Sequence, residues 1–177
     1  MGQTIFITGG ARSGKSRFAE QLAAGYGAPL GYLATAQSLD QEMEQRIRVH
    51  QQRRGEDWGT VEEPLHLSQA LTLNDGRFNV ILVDCLTLWL SNLLLLDDEP
   101  RGESETRVMD AVQLLATTLC NMTTPVIIVT NEVGMGIVPE NRLARIFRDI
   151  AGQANQIIAA AAGEAWLVAS GIPLKLK

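Results

Sequence analysis

The sequence predicts an α/β fold, with a mostly parallel sheet and helices on both of its faces. Three apolar runs of strand length lie at Thr4 to Thr8, Asn79 to Asp84 and Pro125 to Thr130, and segments with helical spacing separate them. Continuous apolar runs indicate strands that are buried on both faces, and their alternation with helices indicates parallel crossovers. A chain of 177 residues fits one domain, which we place at 1–177.

The first strand leads into a glycine-rich segment that fits the pattern G-x-x-x-x-G-K-[ST]. The segment reads Gly9-Gly10-Ala11-Arg12-Ser13-Gly14-Lys15-Ser16, and helical spacing continues to about Ala24. In such a loop the backbone N–H groups surround phosphate oxygens, the lysine contacts the β and γ phosphates, and the serine hydroxyl ligates Mg²⁺. The positive end of the following helix points at the same anion. The sequence therefore predicts a P-loop NTPase-like fold.

The other predicted elements follow in chain order. Glycines at 25 and 27 end the first helix. After them we expect a strand at Gly31 to Thr35, helices at Glu42 to Arg54, at Pro64 to Leu73 and from about Leu86, an exposed acidic loop at Asp97 to Glu105, helices at Thr106 to Met122 and Glu140 to Ala162, a central strand at Ala165 to Ala169 and an edge strand at Leu174 to Lys177.

Several polar side chains lie where predicted strands end, which is where open α/β sheets bind ligands. Thr35-Ala36-Gln37 is a candidate nucleotide contact, with a ligand-free polar turn as the alternative. Asp84 resembles the strand-end aspartate that helps to hold Mg²⁺ in P-loop proteins, and its alternative role is to cap the next helix. Glu62 is ambiguous between solvent exposure and ribose recognition.

A histidine lies among arginines on the predicted helix from Glu42 to Arg54. His50 shares one helical face with Met43, Ile47 and Arg54. One interpretation is a packing histidine; the other is an unprotonated imidazole that attacks phosphorus while arginines stabilise the phosphate charge. The only other histidine, His66, has no basic cluster around it.

Composition excludes several classes of function. The formal charge of −5 argues against binding to nucleic acid, which needs basic surface. Two cysteines without metal-ligand spacing favour a reducing cytoplasm. The first eight residues lack the features of a signal peptide, and the longest apolar stretch is too short to span a bilayer. We therefore expect a soluble cytoplasmic protein without a membrane span.

Four segments resemble the bifunctional adenosylcobinamide kinase/adenosylcobinamide-phosphate guanylyltransferase family of cobalamin biosynthesis. They are the phosphate loop with Ile7 and Thr8, Arg46 to His50, Thr60 to Pro64, and Val129 to Arg142 with its continuation to Gly152. The last is the most distinctive: Val129-Thr130-Asn131-Glu132-Val133-Gly134-Met135-Gly136-Ile137-Val138-Pro139-Glu140-Asn141-Arg142. The resemblance covers nearly the full chain.

The resemblance implies an enzyme with two reactions. ATP or GTP first phosphorylates the aminopropanol hydroxyl of adenosylcobinamide; GMP from GTP then passes through a guanylylated histidine to adenosylcobinamide phosphate, giving adenosylcobinamide-GDP and pyrophosphate. The matching catalytic residues are His50 and Lys15. The positions that match nucleotide contacts are Gly9 to Ser16, Thr35, Ala36, Gln37, Gln51, Gln52, Arg53, Arg54, Glu62 and Asp84, and those that match metal ligands for Mg²⁺ are Ser16 and Asp84. A homotrimer is implied in the same way.

Two other functions remain open from the residues. A simple P-loop kinase of a small metabolite would leave His50 structural and transfer no nucleotide. A GTP-dependent switch or binding module would often carry N-K-x-D after the strand at Pro125 to Thr130, but this chain has Glu132 and Gly134 where the lysine and aspartate are needed.

Overall fold

The computed structural model describes residues 2–36, 55–96 and 102–177. Seven strands and five helices are found there, bounded as follows: β1 (Thr4–Thr8), α1 (Lys15–Ala24), β2 (Leu30–Ala34), β3 (Trp58–Glu62), α2 (Leu67–Asn74), β4 (Val80–Asp84), α3 (Leu86–Leu94), α4 (Gly102–Asn121), β5 (Val126–Val129), α5 (Arg142–Ala161), β6 (Glu164–Ala169) and β7 (Ile172–Lys175). The predicted helix from Glu42 to Arg54 lies outside the described residues.

The strands form one sheet in the order β3-β2-β4-β5-β1-β6-β7. All neighbours run parallel except β6 and β7, which pair antiparallel. The prediction of a mostly parallel α/β sheet is therefore confirmed. β1, which leads into the phosphate loop, pairs with β5 and β6 near the middle of the sheet.

Helices cover both faces of the sheet because the strand residues alternate between two hydrophobic clusters. Ile5 and Ile7 of β1 pack with Ala19 and Ala23 of α1 on one face. Phe6 faces the opposite side, where the larger cluster contains buried residues from α2, α3, α4 and α5. In the described part of the chain, α1 is the helix on this face, and it packs on β1 and the neighbouring strands.

Two predictions need correction. The predicted acidic loop from Asp97 to Glu105 is helical in its described part, because α4 begins at Gly102 and not at Thr106. Glu103 and Glu105 occupy the first turn, where negative charge stabilises the helix dipole, and Ser104 is buried. Strand β3 was not predicted from the sequence. Its residues alternate in exposure and carry no continuous apolar run, as fits a strand at the edge of the sheet.

The other boundaries move by a few residues. α2 begins at Leu67, three residues after the predicted start. α5 begins at Arg142 because Asn141 is its N-cap and accepts a hydrogen bond from the Ala144 N–H at 3.1 Å. The edge strand β7 lies at Ile172–Lys175, two residues before its prediction. Among the described residues, no helix is both long and apolar enough to cross a bilayer.

Candidate nucleotide-binding site

The strand register places the carboxyl ends of five strands at one level of the sheet. Ala34 of β2 pairs with both Glu62 and Asp84, and Val129 of β5 pairs with both Asp84 and Ile7. The phosphate loop after β1 therefore lies at the same edge as Thr35, Ala36, Glu62 and Asp84. Of the residues predicted for the site, those in the described part share this edge.

Glycines at two positions of the phosphate loop are required by close packing and backbone conformation. A Cβ on Gly9 would lie 2.4 Å from the Val168 carbonyl oxygen and 2.7 Å from Ser13 Oγ. Gly14 has φ +96° and a Cβ there would lie 3.2 Å from Gly171 Cα. Since φ in this region strains residues that carry a Cβ, the loop can follow this path only with glycine at both positions.

Backbone hydrogen bonds attach the phosphate loop to its neighbours. The Ser13 N–H donates to the Gly10 carbonyl at 3.2 Å within the loop, and the Ser13 carbonyl accepts from the Gly171 N–H at 2.8 Å. The Gly9 carbonyl accepts from the Glu132 N–H at 3.0 Å. These bonds fix the loop between the β6–β7 turn and the segment that follows β5.

Lys15 is the buried charged residue of the loop, with only 8% of it exposed. Its Nζ donates to the Gly10 carbonyl at 3.0 Å. Burial lowers the pKa of Lys15, although the nearby Cys85 and Asp84 oppose that shift. Because a buried ammonium is stabilised by an anion, phosphate at this loop would favour its charged form.

Asp84 is the carboxylate whose charge raises the pKa of Lys15. The Tyr32 hydroxyl donates to Asp84 Oδ2 at 3.1 Å, and the Tyr32 ring meets Trp58 edge-on with centroids 6.3 Å apart. The next residue, Cys85, is buried, and burial followed by the charge of Asp84 raises the pKa of its thiol to about 12. Cys85 is therefore a neutral packing residue, whereas Asp84 is oriented by a phenol.

The site residues fit Mg²⁺ through oxygen atoms. Ser16 and Asp84 supply a hydroxyl and a carboxylate, which suit this hard cation, and phosphates and water complete such sites. In the described residues no cluster of three or more His, Cys, Asp or Glu forms a protein-only metal site. The buried hydroxyls of Thr8 and Ser13 have no hydrogen-bond partner there, so the loop retains polar groups that a bound ligand can satisfy.

Thr35 has a structural role in addition to its place at the strand end. Thr35 is fully buried. Its Oγ1 donates a hydrogen bond to the Cys85 carbonyl at 2.7 Å and accepts one from the Cys85 N–H at 2.8 Å. Asn92 Nδ2 donates to the Thr35 carbonyl at 2.8 Å. The Thr35 hydroxyl and the Thr35 N–H, which donates to the Asp84 carbonyl at 3.2 Å, thus join the ends of β2 and β4.

The two neighbouring glutamates at the end of β3 have different surroundings. Glu62 is exposed at the binding edge. Glu63 Oε1 accepts from the Leu65 and His66 N–H groups at 2.9 and 2.8 Å, before α2. Although burial opposes the change, these two backbone hydrogen bonds lower the pKa of Glu63. Glu63 therefore shapes the turn, while the Glu62 side chain is accessible to a ligand.

The remaining predicted site residues lie outside the described part of the chain. They are Gln37, His50, Gln51, Gln52, Arg53 and Arg54. Two features of the site were not predicted from the sequence: Tyr32, and a buried hydrogen-bond network made by Thr87, Thr130 and Asn155. Thr130, the last residue of a predicted buried strand, was the one available signal, because a buried hydroxyl there needs a partner; its partners come from other elements.

Comparisons with known proteins agree on one family. The family model described as cobinamide kinase / cobinamide phosphate guanyltransferase matches residues 5–176. The bifunctional adenosylcobalamin biosynthesis protein CobU of Escherichia coli is 47% identical over 180 residues, which cover 98% of this chain and 99% of that protein. The CobP protein of the same description from Pseudomonas aeruginosa is 44% identical over 171 residues, 97% of this chain and 95% of that protein.

A solved structure from Pyrococcus horikoshii shares the fold. It has a TM-score of 0.57 and 7% sequence identity, and the match covers 99% of this chain and 86% of the other. At this identity the likeness concerns the fold alone.

Proposed function

Because the chain belongs to the cobinamide kinase / cobinamide phosphate guanyltransferase family, we propose that it catalyses both reactions of that name within the single domain 1–177. The kinase reaction moves the γ-phosphoryl group of ATP or GTP to the hydroxyl of adenosylcobinamide. The guanylyltransferase reaction joins GMP from GTP to adenosylcobinamide phosphate and releases pyrophosphate. The chain is thus an enzyme of cobalamin biosynthesis.

The observation that carries this proposal is the phosphate loop at the carboxyl edge of the sheet, with Lys15 and Asp84 beside it. Gly14 is the N-cap of α1, so the free N–H groups of the first helical turn point toward the loop. Lys15 is the first residue of that turn and is buried. Phosphoryl transfer needs positioning and charge stabilisation more than covalent chemistry, and these groups supply both for the triphosphate.

Ser16 and Asp84 are the residues that would hold Mg²⁺. The cation, when bound, neutralises charge on the phosphates as the leaving group departs. The hydrogen bond from Tyr32 to Asp84 Oδ2 orients this carboxylate. Lys15 contributes a second positive charge on the same phosphates.

For the second reaction we assign the nucleophile to His50. Its imidazole nitrogen attacks the α-phosphorus of GTP, the bond to the pyrophosphate oxygen breaks, and the product is GMP bonded to nitrogen. A phosphate oxygen of adenosylcobinamide phosphate then attacks the same phosphorus, and the bond from phosphorus to the histidine nitrogen breaks, which gives adenosylcobinamide-GDP and frees the imidazole. Covalent catalysis divides one difficult transfer into two easier ones. The arginines at 53 and 54 and the Glu62 carboxylate, which follow His50 in the chain, are the proposed partners of the guanine nucleotide.

The test is incubation with Mg²⁺ and GTP labelled at the α-phosphate or at the γ-phosphate, followed by counting of acid-labile, base-stable label on the protein. We expect label from the α-phosphate only, and its loss in His50→Ala. The exposed His66 gives a matched control, since His66→Ala should retain the label. Cobinamide phosphorylation without any α-label would leave the simple kinase as the function.

We also propose, by resemblance, that the protein is a cytoplasmic homotrimer with small-molecule substrates and no nucleic-acid partner. Several apolar side chains are exposed at the edge strand β7 and after β5, among them Ile172, Leu174 and Ile137. Sedimentation equilibrium should give the mass of three 19.3 kDa chains. A monomer at micromolar concentration would contradict the assembly without affecting the proposed chemistry.

A further inference from the structure

Four residues behind the phosphate loop form a closed ring of hydrogen bonds. Thr130 Oγ1 donates to Asn155 Oδ1 at 2.9 Å, so its single proton is committed there. Thr87 must therefore donate in its 3.1 Å contact with Thr130, and Thr87 Oγ1 in turn accepts from the Asn131 N–H at 2.6 Å. Asn155 Nδ2 completes the ring by donating to the Asn131 carbonyl at 3.4 Å.

The ring joins three elements at the carboxyl end of β5. Thr87 is in α3, Asn155 is in α5 and Thr130 directly follows β5, and all three are buried. Each hydroxyl donates one hydrogen bond and accepts one, so the network is satisfied and specifies one geometry. Asn131 is the residue that this geometry fixes, because both of its backbone polar groups belong to the ring.

Asn131 lies between the two parts of the proposed kinase site. Strand β5 separates β4, which ends in Asp84, from β1, which leads into the phosphate loop. The residue after Asn131, Glu132, donates its N–H to Gly9. The Asn131 carboxamide is half-buried and makes no hydrogen bond to another described residue.

The backbone of Asn131 bears on where its side chain lies. Val129, the last residue of β5, faces the cluster of α1, and Thr130 faces the opposite side, toward Asn155. Both backbone polar groups of Asn131 bond to Thr87 and Asn155 on that opposite side. For the role proposed below, its side chain lies on the face of α1 and Lys15.

We propose that Asn131 is a catalytic residue of the kinase reaction and that Thr87, Thr130 and Asn155 are its positioning residues. The inference rests on the proposed function. The Asn131 carboxamide donates a hydrogen bond to an oxygen of the γ-phosphoryl group during its transfer. The bond from phosphorus to the leaving nucleotide oxygen breaks, a bond to the acceptor hydroxyl oxygen forms, and the hydroxyl proton leaves to solvent. The amide stays neutral and takes no proton; it stabilises charge on the moving group.

The first variant is Asn131→Ala, assayed for cobinamide phosphorylation. Loss of one donor to the transition state should lower kcat by about 10²- to 10³-fold. The dissociation constant of the nucleotide should change by no more than about threefold, since the phosphate loop and Lys15 remain. Asn121→Ala is the matched control: the amide of Asn121 is exposed and donates to the Thr117 carbonyl at 3.0 Å within its own helix, so its loss should leave kcat unchanged.

The second set tests the ring. Thr130→Val keeps the shape of the side chain but removes the hydroxyl, and it should lower kcat at least tenfold; Thr130→Ser restores the hydroxyl and should recover most of it. Thr124 lies two residues before the opposite end of β5, and its buried hydroxyl accepts from the Gly76 N–H at 2.7 Å. Thr124→Val should lower the melting temperature without changing kcat.

The outcomes separate this inference from the proposed function. A wild-type protein that does not phosphorylate cobinamide would overturn both. An active wild type with Asn131→Ala within twofold of its kcat would overturn the inference alone. If Thr130→Val and Thr124→Val lose kcat only in proportion to their stability, and Thr130→Ser gives no recovery, the ring is structural and the positioning role is wrong.

Discussion

At the scale of single residues, Asp75 shows how one carboxylate holds two loops together at the edge opposite the site. Its Oδ1 accepts from the Thr124 N–H at 2.8 Å and from the Thr123 hydroxyl at 2.9 Å. Although burial raises the pKa of Asp75, hydrogen bonds from Thr124 and Thr123 outweigh it and lower that pKa to about 2. The folded pKa is therefore below the unfolded one. The ionised group stabilises the fold above pH ~4, and this contribution is lost as the pH falls toward ~2.

We expect Asp75→Ala to lower the free energy of unfolding at pH 7 by about 1–2 kcal/mol, because backbone donors lose a charged acceptor at a partly exposed position. Urea denaturation at pH 7 and at about pH 2.5 should show that the difference in free energy of unfolding between wild type and variant becomes smaller in acid. Asp110→Ala, on the exposed side of α4, is the control and should change the free energy of unfolding little at either pH. An equal difference in free energy of unfolding at both pH values would contradict the conclusion that the ionised form of Asp75 stabilises the fold.

At the scale of elements, the edge strand β3 is attached by packing that is specific to glycine. Gly31 of β2 and Gly59 of β3 are register partners. A Cβ on either one would lie 2.7 Å from the ring of Phe78. The phenyl ring therefore packs across the backbone of both strands, where any larger residue would displace it.

Gly31→Ala should therefore destabilise the protein by about 1–3 kcal/mol through overpacking. The same substitution in a Phe78→Leu background should cost less than about 1 kcal/mol, because the smaller side chain leaves room. Urea denaturation of wild type, Gly31→Ala, Phe78→Leu and the double variant measures the coupling energy between the two positions. Gly152→Ala is the control: it lies in α5 with open space around its Cβ, and it should stabilise the folded protein by about 0.5–1 kcal/mol. Equal costs of Gly31→Ala in both backgrounds would refute the packing explanation.

The same strand shows what the sequence could and could not predict. Buried strands such as β1, β4 and β5 were predicted correctly, because apolar side chains on both faces leave a continuous run. β3 has no such run, since its stability comes from partners distant in sequence, such as Phe78. The start of α4 at Gly102 was missed because glycine and proline near it predict a loop, while the buried Ser104 and the acidic first turn favour helix.

The candidate site likewise has features that the sequence predicted and features that it did not. The phosphate loop and Asp84 were predicted from local pattern, because their chemistry depends on neighbours along the chain or on the end of a strand. The ring of Thr87, Thr130 and Asn155 depends on three elements meeting in space, so no spacing in the sequence indicates it. The assignment of His50 stays a prediction, since this residue lies outside the described part.

At the scale of the whole molecule, the binding edge joins elements from both ends of the chain. The phosphate loop belongs to the first 16 residues, yet its Ser13 carbonyl is held by Gly171 and its Gly9 carbonyl by Glu132. A nucleotide bound there contacts groups that depend on the entire sheet for their positions. Since only the folded state can then bind it, the nucleotide should stabilise the protein globally.

We expect Mg²⁺ and GTP at about 100 times the dissociation constant to add about 2.7 kcal/mol, which raises the melting temperature by about 5–10 °C in a chain of this size. Lys15→Met should abolish most of this shift at the same concentrations, because the buried ammonium is lost from the phosphate site. Lys175→Met is the matched control: Lys175 lies on β7, pairs with Glu164 at 3.3 Å and covers the Trp166 ring, away from the loop. Calorimetry of the three proteins with and without nucleotide gives the comparison. An equal shift in wild type and Lys15→Met would place the nucleotide elsewhere, whereas a shift lost in both variants would mean that the effect follows general charge and not this loop.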